Sequence, residues 1–129
     1  MENRPSLDKW LEEARREQAA GNIGMYLIHN GVVRTTPKAA VRNGEDIKTP
    51  VTGMRFSYDG DKVNAFVEET RQLEGIYMVR VWLNEGLLAP GDDIMLVLIG
   101  GDIRPRVIDA LNRLVGSIKN ECVSEEELF

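Results

Sequence analysis

The sequence predicts an α+β fold, a layer of helices against a mostly antiparallel sheet, and three observations carry that expectation. Its segments read in the order α-β-β-α-β-β-α, with strands paired in sequence and helices between the pairs, unlike the strict alternation of a doubly wound parallel sheet. One run, Ile94 to Ile99, is apolar at every position, so both of its faces are expected to be covered. The last long segment repeats its apolar residues with the period of a helix.

Each element follows from local pattern. A helix is expected from about Ser6 to Ala20, with Leu7, Trp10, Leu11 and Ala14 on one face, Ser6 as N-cap after Pro5, and Gly21-Asn22 as the stop. The strand Ile23 to Arg34 alternates Met25, Leu27 and His29 against Tyr26 and Ile28. Thr35 to Pro50 is polar and reads as a long mobile loop, the kind of segment that is often functional. Met54, Phe56 and Tyr58 alternate in a short strand that ends at the turn Asp59-Gly60. A helix from about Asp61 to Leu73 turns Val63, Phe66, Val67, Thr70 and Leu73 inward. Ile76 to Leu83 is a strand, and Asn84-Glu85-Gly86 and Pro90-Gly91-Asp92 punctuate the chain before the apolar run. The final helix spans about Ile103 to Cys122, and the acidic SEEELF reads as a solvated, frayed end.

Composition bounds the function classes. At 129 residues the chain is expected to form one domain with a sufficient core of its own. A net charge of −5 argues against a nucleic-acid footprint, which calls for a basic stripe. Cys122 and His29 are the single cysteine and histidine, so an internal disulfide is impossible and a zinc site of the usual Cys/His kind within one chain is nearly excluded. No apolar run reaches the length of a membrane span, and MENRPSLDKW has no signal-peptide core; a cytoplasmic location is the expectation.

Few residues stand out for chemistry. Gly100-Gly101 feeds a helix with Arg104 in its first turn, where unpaired N–H groups and the dipole suit an anion. Asp102, as N-cap, could equally neutralise that arginine. On a helical projection Val107, Ile108, Leu111, Leu114, Val115 and Ile118 form the apolar face, Arg104 falls in the same arc, and Lys119 sits on its edge. Arg106 and Arg113 point toward solvent. Lys119 also has a structural explanation in the helix dipole. Arg34 ends the first strand, and Lys38, Arg42 and Lys48 lie in the loop that could close on an anion; all four also read as solvated surface cations. His29 reads as an edge histidine, and nothing marks Cys122 as a nucleophile.

The strings IGMYLIHNGVVR and EGLLAPGDDIMLVLIGGDIR, with the helix ending GSIK, resemble the large subunit of molybdopterin synthase. The resemblance covers about Leu7 to Lys119. It implies a two-layer α/β hammerhead fold with a long C-terminal helix, a homodimer, and a ubiquitin-like small sulfur-carrier subunit docked at each end. It implies sulfur transfer from that subunit's Gly-Gly thiocarboxylate to cyclic pyranopterin monophosphate, a pterin phosphate, without a cofactor. By matching position, Arg34 and Arg104 would bind the anionic substrate and Lys119 would be catalytic.

The chain departs from the family pattern at defined places. Leu83-Asn84 replaces a first His-Arg pair, and Ile103 stands where histidine belongs in the second. Cys122 to Glu126 replaces a Trp-Lys segment, with Glu126 where a second active-site lysine is expected. Two readings follow: a molybdopterin synthase large subunit working with Arg34, Arg104 and Lys119, or a non-catalytic dimeric homologue that binds an anionic ligand or a protein partner.

Overall fold

The computed structural model describes residues 4–129, so the first three residues of the MENRPSLDKW stretch lie outside it. The mixed α+β class holds, with two antiparallel sheets and a long helix near the C-terminus. Among the described residues no helix is long and apolar enough to cross a membrane.

Helix α1 (Leu7–Arg16) starts where Ser6 accepts a hydrogen bond from the Lys9 N–H, and a 3-10 segment, Gln18–Asn22, replaces its expected last turn. Strand β1 (Met25–Val32) leads to α2 (Lys38–Asn43), a helix inside the stretch expected to be a loop. Strand β2 (Gly53–Tyr58) precedes α3 (Gly60–Arg71), which Asp59 caps by accepting from the N–H groups of Asp61 and Lys62. Strands β3 (Ile76–Leu83), β4 (Gly86–Leu88) and β5 (Asp93–Gly101) follow. Helix α4 (Arg104–Glu121) then feeds β6 (Val123–Leu128).

Two sequence expectations are corrected here. The strands do not pair with their neighbours in sequence: one sheet runs β1-β5-β3 and the other β4-β2-β6, all antiparallel. Periodicity reports which face of a strand is apolar and says nothing about which strand lies beside it. The acidic end is not frayed either. It is β6, paired along β2 from Tyr58↔Val123 to Gly53↔Leu128.

The apolar run behaves as read. β5 is the central strand of its sheet, with Leu96, Val97, Leu98 and Ile99 fully buried. Helices α3 and α4 contribute Val63, Val67, Val107, Ala110, Leu114 and Ile118 to the same core, and Met54, Phe56 and Leu88 reach it from the second sheet. One continuous core therefore fixes the C-terminal end of α4 relative to β1, β2 and β6.

The double glycine serves packing. Gly101 closes β5 between Met25 and Ile76. A Cβ at Gly101 would lie 2.6 Å from both the Gly75 carbonyl oxygen and Val107 Cγ2. The backbones of residues 24, 75 and 101–102 meet there, through Gly24 N–H to Gly101 O (2.8 Å) and Asp102 N–H to Gly75 O (2.9 Å). A side chain would force these segments apart, so glycine at this place answers to close approach.

Candidate functional site

A cleft of about 130 Å³ opens where the ends of β1, α4 and β6 converge under α2. Val32, Met54 and Ile94 give it an apolar floor, and Arg34, Lys38, Arg42 and Lys119 line it together with Glu125 and Glu127. Four cations against two carboxylates leave the lining with a net charge of +2 in a chain of net charge −5. That local reversal of sign concentrates anions at the cleft.

The fold explains each placement. The register of β1 on β5 shifts between Gly31 and Val32. Val33 beyond it is buried and bonds the 91–92 turn in both directions, through Val33 N–H to Asp92 O and Gly91 N–H to Val33 O. This anchor leaves the next residue, Arg34, exposed at the cleft. Its Nε donates to Thr36 O at 3.3 Å, and it has no ion pair with any described residue. Lys119 follows Ile118, a fully buried residue that seats the last turns of α4.

Strand β6 supplies the acids. Directly paired residues on neighbouring antiparallel strands share a face. Glu125 is paired with buried Phe56 and Glu127 with buried Met54, so both face inward. Glu126 is paired with exposed Arg55 and makes a 3.2 Å ion pair with it. Both side chains are well solvated, so that pair contributes little to stability. The charge reversal read at Glu126 is therefore carried into the cleft by its two neighbours, Glu125 and Glu127.

Those neighbours have different jobs. The Glu127 carboxylate accepts the backbone N–H of Lys38 at 3.0 and 3.2 Å, satisfying a donor in the first turn of α2 and fastening that helix to the sheet. Glu125 is only 12% exposed and lies between two ammonium groups, with Lys119 Nζ at 3.4 Å and Lys38 Nζ at 3.8 Å. The sequence gives little sign of either role. Three consecutive glutamates have no apolar alternation and poor strand propensity.

Arg34 and Lys119 thus come together, and Arg104 does not join them within one chain. Arg104 opens α4, fifteen residues before Lys119 and on the order of 22 Å away at the rise of a helix. It is exposed and has no ion pair with any described residue. Its expected partner is engaged elsewhere. Asp102 accepts the Ile103 N–H and Arg106 Nη1, each at 2.7 Å, while Glu74 accepts Arg106 Nη2 at 3.1 Å. Arg106 is therefore paired rather than turned to solvent, and the N-cap position is Ile103 rather than Asp102.

His29 is half-buried near the same end of α4. Burial first, and the positive charge of Lys119 second, hold its imidazole below the usual 6.5, so it is neutral at pH 7. The unfolded chain takes up this proton more readily. Acidification therefore removes stability, starting near the ordinary imidazole value and levelling off once the folded imidazole is itself protonated. In an NMR pH titration of the imidazole, Lys119→Met is expected to move the His29 midpoint up without restoring the ordinary value, because burial persists. An unmoved midpoint would separate the two groups electrostatically.

Cys122 is buried, and burial first, with Glu121 second, raises its thiol pKa. Such a thiol makes a poor nucleophile at neutral pH. Among the described residues no group of three His, Cys, Asp or Glu side chains could hold a metal.

The comparisons with known proteins agree on a single group. A sequence model of the family described as MoaE protein matches residues 2–121. Molybdopterin synthase from Staphylococcus aureus superposes with a TM-score of 0.75 at 14% identity, over 98% of this chain and 87% of that one. A molybdopterin biosynthesis MoaE protein from Burkholderia ambifaria gives 0.71 at 18% identity, over 98% and 84% of the two chains. A complex of subunits 1 and 2 of the molybdopterin-converting factor from Helicobacter pylori gives 0.63 at 16% identity, over 95% and 78%. At these identities the structures speak for the fold. No curated protein matches the sequence.

Proposed function

This chain belongs to the MoaE protein family, and from that premise we propose that it acts in molybdenum cofactor biosynthesis as the large subunit of a molybdopterin synthase. The observation that carries the proposal is the meeting of Arg34 and Lys119 in a cationic cleft with an apolar floor. The reaction asks for such a place. A pterin phosphate needs cations for its phosphate and an apolar surface for its ring system, and a thiocarboxylate giving up sulfur develops negative charge that a positioned ammonium stabilises.

In this reading Arg34 and Arg42, neither ion-paired to a described residue, hold the phosphate. Lys119 meets the thiocarboxylate and takes part in proton transfer. The sulfur arrives on a small carrier subunit, in keeping with the two-subunit composition of the Helicobacter pylori relative. Arg104 reaches this cleft only from a second copy of the chain. Exposed Ile103, the N-cap of α4, and Ile108 within it, at 51% and 42%, flank Arg104 in sequence and suit a homodimer contact.

Reconstitution tests the proposal. The protein is mixed with thiocarboxylated small subunit and cyclic pyranopterin monophosphate, and dithiolene product is assayed beside a large subunit that retains the family histidines and lysines. Product above background is expected. No product beside an active control would favour the second reading, a non-catalytic binding protein, for which the engagement of Lys119 by Glu125 already speaks. A monomer in sedimentation at assay concentration would remove Arg104 from the site.

A further inference from the structure

We propose that Glu125 determines which anions the cleft accepts, by serving as a resident counter-ion that an incoming anion must displace from Lys119. The inference rests on the reading of the cleft as an anion site built on Arg34 and Lys119.

Three observations lead to it. First, one carboxylate spans two ammonium groups from separate elements, Lys119 on α4 and Lys38 on α2. Second, its Oε2 is buried yet accepts no hydrogen bond from any described residue, although Lys119 Nζ is 3.4 Å away. The carboxylate is held by charge and lacks the directional bonds that would offset its desolvation. Third, Glu127, its neighbour on the same face, is fixed by two contacts to the Lys38 N–H. Glu127 is therefore a structural acid, whereas Glu125 holds Lys119 by charge alone and keeps Lys38 as a partner when another anion takes Lys119.

The cations of the cleft are of two kinds as a result. Arg34 and Arg42 have no ion pair with any described residue. Lys119 is available only to a group that outcompetes Glu125. A ligand with a single compact anionic group can use the two arginines and meets Glu125 weakly. A ligand whose negative charge extends across the cleft meets Glu125 directly. The preferred ligand class is one anionic group attached to a neutral body bearing N–H or O–H donors, which the free lone pairs of Glu125 can accept.

Equilibrium binding of inorganic phosphate and inorganic pyrophosphate by titration calorimetry tests the division. Glu125→Gln, close to isosteric, is expected to tighten pyrophosphate about tenfold and phosphate distinctly less, since one opposing charge is removed from a partly screened site. Glu126→Gln, on the outer face of β6, is expected to change neither. A tightening cannot come from damage to the fold, which would weaken both probes. Pyrophosphate bound no more tightly by Glu125→Gln than by the wild type, while Arg34→Ala and Lys119→Met weaken it, would overturn the role of Glu125 and leave the anion site standing. If no variant binds either probe, or Arg34→Ala and Lys119→Met change neither, the anion site itself fails and this inference with it.

Discussion

Lys119→Ala is expected to lower the rate of dithiolene formation in the reconstituted reaction by about 10²–10⁴-fold, the range for losing a positioned proton-transfer group. The fold should persist, because the side chain is about a third exposed and Glu125 keeps Lys38 as a partner. Unchanged far-UV circular dichroism beside the lost rate would place the effect in the chemistry. Lys119→Arg sharpens the result. Arginine restores the charge and cannot release a proton near neutral pH, so recovered substrate binding without recovered turnover would assign Lys119 to proton transfer. Recovery of both would leave only electrostatic stabilisation. A wild-type rate in Lys119→Ala would take the lysine out of the mechanism.

How far the sequence led depends on which physical signal each feature leaves. The sequence pattern matches the observed bounds of strand β3, and those of α3, α4 and β5 to within a few residues, because long periodic or wholly apolar runs decide both type and burial. β4 is three residues between turns, too short for any period. β6 has its burial supplied by charged side chains facing cations, which no hydropathy pattern encodes. The placement of Arg104 shows a different gap. A helical projection collapses the axis, so residues in one angular sector can lie at opposite ends of an 18-residue helix. Arg34 and Lys119, by contrast, stand out in the sequence as a strand-end arginine and a lysine on the edge of the helix face, and they line one cleft, since buried Val33 and Ile118 next to them seat their backbones on the same core. Glu125 was legible only as composition. Its role follows from register: it is paired with Phe56, and Phe56 is buried.

That pairing makes Phe56→Ala the substitution expected to cost most in stability, about 3–5 kcal/mol, the usual range for removing a buried ring. Phe56 is 1% exposed in the middle strand of β4-β2-β6, where it joins the second sheet to the common core. Deleting the ring leaves a cavity that only movement of β2 could fill, and β2 carries β6 on its edge. For a chain of this length the loss corresponds to a fall of roughly 10–20 °C in melting temperature. Tyr58, two residues on and 36% exposed, has its ring centroid 6.4 Å from that of Phe56 and gives an internal comparison. Tyr58→Ala leaves no buried cavity and should cost well under half as much in denaturant unfolding. Similar losses for the two would mean that the second sheet is not joined to the core through Phe56. A loss confined to Phe56→Ala, with weakened pyrophosphate binding while the protein is still folded, would show that the cleft's geometry depends on β6 being held against β2. Glu125 and Glu127 reach the cleft only through that strand, and Glu127 in turn fastens α2 with Lys38 and Arg42 over it.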